Sequence, residues 1–276
     1  MKLPSAFASS VDRARQAHAQ SALLYGAQGL GLVAIAEAIA PYHIRHIQPL
    51  ASESAKTSEH TTISVTAIRD LYEQTRTSGQ QQTVIIEQAD RMTIAAQNAL
   101  LKLLEEPTAD TTFILTTHFV EKILPTVRSR TALFHIPQLT FQQSLDFLQA
   151  YPKLSSQEIQ QLLFIAAGKP ALLDELALNT NKRTTMFSVA SAAKKFVYEL
   201  EPYQQLLFIQ PYTKSRTEAR NFIETIILVL KHVHSRQPGI DHIMQLELCV
   251  DILHTLDTNS NVRLTLTNFV VQWNTQ

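Results

Sequence analysis

The chain has 276 residues, 45% of them hydrophobic and 17% charged, enough apolar material for a real core in two or three small domains. Lys and Arg number 24 and Asp and Glu 24, so no net charge is available to hold nucleic acid by global electrostatics, and only a local patch could do so. The one cysteine, Cys249, excludes an internal disulfide framework and a cysteine-rich zinc site.

From the N-terminus, the opening residues lack the apolar core of a signal peptide, and no apolar run is long enough to span a bilayer. A cytoplasmic protein is expected, with no membrane partner. A helix is predicted over Val11–His18 and a short buried strand over Ala22–Tyr25. A glycine loop follows, with Gly26, Gly29 and Gly31, and then an alanine-rich helix closed by Pro41. Strand, glycine loop and helix are the setting of a phosphate-binding loop, in which backbone amides cradle phosphates, a lysine reaches them and a hydroxyl holds Mg²⁺. Gly26 and Gly31 stand where that pattern places its glycines. The lysine position is Leu32 and the hydroxyl position is Val33, so both chemical groups are missing.

His43–Ile47 reads as a strand, Leu50–Thr61 as a polar loop, and Ala67–Arg76 as a helix preceded by a strand or lead-in at Ile63–Val65. Val84–Ile86 is an apolar run, as expected of a strand buried on both faces, and Glu87, Gln88 and Asp90 put polar groups at its carboxyl end. Thr93 is placed to cap a helix whose apolar face is Ala96, Leu100, Leu103 and Leu104, stopped by Pro107. Phe113–Leu115 is a second buried strand leading to His118, and Pro125 opens a turn ending in Arg128, Ser129 and Arg130. Strand, helix, strand at these lengths predicts a right-handed βαβ unit.

The α/β part should end near Ile136-Pro137. Thr140 then caps a helix to Ala150, Ser155 and Glu158 form a capping box for another that ends at Gly168, and Pro170 opens a third that runs to Leu178. Asn179–Asn181 reads as a linker. The remainder is helical, roughly Arg183–Glu199, Pro202–Pro211, Thr217–Arg236, Asp241–Thr255 and Asn261–Trp273, with Phe222, Ile226 and Leu230 on one apolar stripe.

The run ADRMTIAAQNALLKLLEEP, followed by ILTTH and TVRSRT, resembles the clamp-loader subunits of bacterial DNA polymerase III, of the AAA+ class. In those proteins an acidic strand end leads into A-x-NALLK-x-LEEP, a sensor strand and a Ser-Arg-Cys motif. The match is close from Val84 to Thr131, fair from Ser21 to Ala177 and weak beyond. It implies a P-loop NTPase-like AAA+ core at 1–137, a helical lid at 138–178, and an all-α collar at 179–276 that joins subunits. Bacterial relatives often carry a four-cysteine zinc module after the first helix; this chain has no cysteine there.

In an active relative, the carboxylate at the central strand end holds Mg²⁺ and the next acidic residue orients water. Here these are Glu87 and Gln88, and a neutral amide cannot act as general base. His118 takes the sensor position, and no arginine opens the lid helix after Gly168-Lys169. Lysine, hydroxyl and base are absent together, which predicts a nucleotide site without hydrolysis, without a bound cofactor and without a metal. Arg130 aligns with the motif arginine, which in the family protrudes into a neighbour's ATP site; Thr131 replaces the cysteine, and Arg128 is the nearby alternative. The resemblance thus implies an accessory subunit whose partners are an ATPase subunit and other loader subunits, the sliding clamp indirectly, and primer-template DNA. An ATP-hydrolysing motor subunit and a DNA-binding accessory protein outside replication are the alternatives. Leu32 opposes the first, and neutral charge without interleaved basic and aromatic residues opposes the second.

Overall fold

A computed structural model describes the chain except residues 1–2, 18, 52–60, 78–80, 107–109, 237–238, 259 and 276. It divides into two compact units, Met1–Pro152 with Ala166–Glu175, and Lys153–Ile165 with Leu176–Gln276. The segment 138–178 therefore contributes to both.

The first unit contains α1 (Ala8–Gln16), β1 (Ser21–Tyr25), α2 (Leu32–Ile39), β2 (His43–Ile47), β3 (Leu50–Ala51), β4 (Thr61–Thr62) and α3 (Val65–Thr77). It continues through β5 (Gln82–Ile86), α4 (Ile94–Glu105), β6 (Thr111–Thr117), α5 (Pro125–Arg128), β7 (Ala132–His135) and α6 (Phe141–Leu148). Five strands form one parallel sheet in the order β2-β5-β6-β1-β7. Val84, Ile85 and Ile86 pair with Phe113, Ile114 and Leu115, as the two apolar runs predict. Successive strand side chains point to opposite faces. Leu23, Val84, Ile86, Phe113 and Leu115 accordingly join the core built on α3 and α4, whereas Leu24, Ile85 and Ile114 join the core built on α1 and α2. Covering both faces is what allows β5 to be buried at every residue.

The caps form as expected. Thr93 Oγ1 accepts from the Ala96 amide at 3.1 Å, and Thr140 forms a capping box with Gln143. Ser155 and Glu158 form another, in which the Ser155 amide donates to Glu158 at 2.9 Å. Pro107, expected to stop α4, lies outside the described residues; α4 ends at Glu105. In the first unit two strand details differ from expectation. The ends of the polar loop are strands, β3 and β4, which pair antiparallel through Leu50–Thr62 and Ala51–Thr61; 52–60 lies outside the described residues. Strand β7 was not expected; its alternate residues are exposed, so it carries no continuous apolar run.

The second unit holds the later helices, α9 (Thr180–Tyr198), α10 (Pro202–Phe208), α11 (Arg216–Arg236), α12 (Ile240–Asp257) and α13 (Val262–Trp273), after α7 (Ser156–Ala166) and α8 (Pro170–Leu178), which begin in one unit and end in the other. Asn179 is no linker. Its side chain accepts the Lys182 amide at 3.0 Å and starts α9 at once. Phe196 organises the core, stacked on Phe269 at 5.7 Å and edge-on to Phe222 and Trp273. Phe222, Ile226 and Leu230 are fully buried there, as their spacing predicts. Cys249 lies in the same core, and burial pushes its thiol up to about 12. Among the described residues no helix is long and apolar enough to cross a membrane.

Candidate nucleotide-site remnant and outward arginine

The glycine loop joins β1 to α2 at the carboxyl edge of the sheet, where open α/β folds bind their ligands. Gly29 and Gly31 have φ of +87° and +80°, which glycine adopts without the Cβ clash of other residues. Gly31 is the N-cap of α2, and its carbonyl accepts from Ile35 at 3.1 Å. The loop is engaged by the protein itself. The Gly26 amide donates to Thr117 O at 3.3 Å, and the Gly26 carbonyl faces His118 Nδ1 at 3.0 Å. A carbonyl only accepts, so that contact requires the tautomer with its proton on Nδ1. The Gly29 carbonyl accepts from the first amides of α8, Ala171 at 2.9 Å and Leu172 at 3.3 Å. These amides have no acceptor within their own helix, and the loop supplies one.

Leu32, in the lysine position, is buried with Leu24, Leu30 and Ile35 and presents nothing to the sheet edge. Val33, in the hydroxyl position, lines an open cleft of about 650 Å³ together with Glu37, His46, Gln48, Ala67 and Glu87. Glu87 is only 13% exposed and is already paired: His46 Nδ1 lies 2.7 Å and Gln48 Nε2 3.0 Å from its Oε1. His46 Nε2 in turn lies 3.5 Å from Glu37 on α2. Sequence reasoning missed this chain of contacts, because it depends on β2 pairing beside β5, with Ile47 opposite Ile86. The carboxylate at the Mg²⁺ position thus faces a second carboxylate through a histidine, in a cleft without the loop cation. Among the described residues no group of three or more His, Cys, Asp or Glu could hold a metal ion.

Gln88, in the base position, is exposed at φ +48°, alone among described non-glycine residues in having positive φ. Its amide donates to Thr116 Oγ1 at 3.3 Å. Beside it Thr117 Oγ1 donates to Asp90 at 2.8 Å, so the strand end is held by threonine hydroxyls. The Gly26 carbonyl meets His118, Val33 and Glu87 line one cleft, and Gln88 bonds to Thr116 at the adjoining strand end, while Leu32 stays in the core.

Arg130 stands apart from that cluster, in the turn after α5. Its Nη2 lies 2.6 Å from Glu105 Oε1 at the end of α4, and its Nη1 donates to Thr126 O at 3.1 Å. The side chain is 38% exposed. Thr131, in place of the motif cysteine, bonds back to Val127 and Arg128 carbonyls at 3.3 and 3.2 Å and closes the turn. The alternative, Arg128, is half-buried, with a buried Nε that has no hydrogen-bond partner. Gln97 on α4 fastens the segment that leads to α5, donating to Lys122 O at 3.2 Å and accepting from Leu124 N at 2.8 Å.

Residues 42–140 match the family model described as DNA polymerase III, delta subunit. The DNA polymerase III subunit delta' of Pseudomonas aeruginosa is 32% identical over 186 residues, 59% of this chain and 57% of that protein. The delta' subunit of Bacillus subtilis is 28% identical over 190 residues, 63% of this chain and 53% of that protein. The chain spans about half the length of these curated relatives. The solved structure of a DNA polymerase III gamma subunit-related protein from Thermotoga maritima superposes with a TM-score of 0.58 at 15% identity, over 96% of this chain and 99% of that one, a likeness of fold alone. The resemblance read from Val84 to Thr131 is borne out: the chain is similar to polymerase III delta' subunits, and its architecture is a five-stranded parallel sheet flanked by helices, with a helical C-terminal region.

Proposed function

We propose that the chain acts as a delta'-type accessory subunit of a polymerase III clamp loader. It does not hydrolyse ATP, and it supplies Arg130 to the ATP site of a neighbouring gamma/tau-like ATPase subunit. With that subunit and a delta-like one, it supports placement of a sliding clamp on primer-template DNA. The segment 138–178 serves as its lid and the helices beyond as its collar. The observation that carries this reading is the contrast between the glycine loop after β1 and the turn after α5. At the glycine loop Leu32 is buried and Glu87 is 13% exposed, whereas Arg130, although paired with Glu105 of its own subunit at 2.6 Å, keeps 38% of its side chain exposed in the turn after α5. A guanidinium supplied in trans stabilises the charge of phosphoryl transfer, and its contribution reaches about 10³-fold or more. The motor alternative requires a phosphate-gripping cation in the loop, and Leu32 cannot provide one.

The test is reconstitution with the ATPase and delta-like subunits, the clamp and primed DNA. Arg130→Ala lowers DNA-stimulated ATP turnover, and unchanged turnover overturns the role in trans. Calorimetric titration of the isolated chain with Mg-ATP gives no binding heat; micromolar binding with turnover would replace this reading by the motor subunit.

A further inference from the structure

We propose that Glu105 is a positioning residue for Arg130, setting the guanidinium in the outward pose from which it reaches a neighbour's phosphate. The inference rests on the reading of Arg130 as a group that acts in trans. Glu105 is the last residue of α4, and its Oε1 lies 2.6 Å from Arg130 Nη2. Thr126 O and Ser129 Oγ engage Nη1, at 3.1 and 3.4 Å. The guanidinium is therefore held from two elements, with a carboxylate on Nη2 and the turn of its own segment on Nη1. An arginine side chain has many rotamers, and one fixed in advance loses less freedom when it meets its target.

Helix stability does not explain the carboxylate. The C-terminus of a helix carries the negative end of its dipole, so an acidic residue there is unfavourable unless a cation neutralises it. Arg130 is such a cation. α4 also carries Gln97, which fixes the backbone leading into α5, so one helix sets both the backbone and the charge of the arginine turn. Glu105 and Arg130 are 47% and 38% exposed, and exposed pairs contribute modestly. The expected effect is therefore a few-fold change rather than the loss seen on removing the arginine.

The experiment uses the reconstituted loader with primed DNA and compares wild type with Glu105→Ala, Glu105→Gln, Arg130→Ala and the Glu105→Ala/Arg130→Ala double variant. Glu105→Ala is expected to lower kcat for ATP about two- to fivefold, with KM for ATP unchanged. Glu105→Gln recovers part of the loss, since its amide oxygen still accepts from the guanidinium. On the Arg130→Ala background, Glu105→Ala has no further effect. If Arg130→Ala itself leaves turnover intact, the in-trans reading fails and this proposal falls with it. If Arg130→Ala lowers turnover while Glu105→Ala matches or exceeds wild type, the positioning role alone is overturned, and the carboxylate restrains the arginine instead. An equal loss from Glu105→Ala on both backgrounds overturns it too, as a general structural effect.

Discussion

Gln97 accepts the Leu124 amide proton at 2.8 Å with one end of its side chain and donates to the Lys122 carbonyl at 3.2 Å with the other. Gln97 is 3% exposed, and both bonds are partly buried. Gln97→Leu keeps the volume but removes the partner of the Leu124 N–H and of the Lys122 carbonyl, both partly buried bonds, each a penalty of about 1–2 kcal/mol. We expect a loss of about 2–4 kcal/mol in urea denaturation, with the slope of the transition unchanged. A variant as stable as wild type would show that the segment before α5 finds other partners.

Arg216, at the start of α11, closes the far end of α12. Its guanidinium donates to the carbonyls of Leu256 and Thr258 and, at 2.9 Å, to that of Ser260. The last carbonyls of a helix lack intrahelical partners, and a charged planar donor serves several at once. Arg216→Ala should destabilise the helical unit by about 1–3 kcal/mol, and Arg216→Lys should recover only part, because an ammonium cannot reproduce the fork. Amide hydrogen exchange in the last turn of α12 checks this, with faster exchange in both variants. Unchanged protection would remove the guanidinium from the account of that helix end.

Tyr151 donates its phenol to Asp174 on α8, both within the first unit. Burial, then the hydrogen bond to Asp174 and its negative charge, raise the phenol above its ordinary value of 10.0. A folded value above the unfolded one means that the contribution is fully present below about pH 10 and is lost as pH rises through the folded value. Thermal midpoints of wild type and Tyr151→Phe should differ by a constant amount from neutral pH to about pH 10 and converge above it. A gap that stays constant above that range would contradict the assignment.

Strands β1, β5 and β6 were legible because burial on both faces writes itself as an unbroken apolar run, LL, VII and FIL. Strand β7 was not, because Leu133 and His135 are exposed and the alternation is too short to stand out. The caps at Thr93, Thr140 and Ser155 follow from local chemistry and were read correctly. Asn179 misled because asparagine marks both linkers and helix starts, and only its bond to Lys182 separates the two. At the sheet edge, glycine spacing and the missing lysine and hydroxyl are visible in the sequence. The partners of Glu87 and Arg130 are not. His46 and Gln48 reach Glu87 through strand pairing, and Glu105 meets Arg130 through the packing of α4 against α5. Neither depends on a spacing that a reader of the sequence could count.

Gly26 sits where any side chain would collide: a Cβ there would lie 2.7 Å from the Ile136 carbonyl oxygen and 2.8 Å from Leu30 Cδ1. The position requires glycine for crowding alone, whatever became of the phosphate chemistry. A motif scan that rewards the glycines of such loops is therefore scoring steric fit. The diagnostic weight for catalysis belongs on the cation and the hydroxyl, which the backbone leaves free to drift.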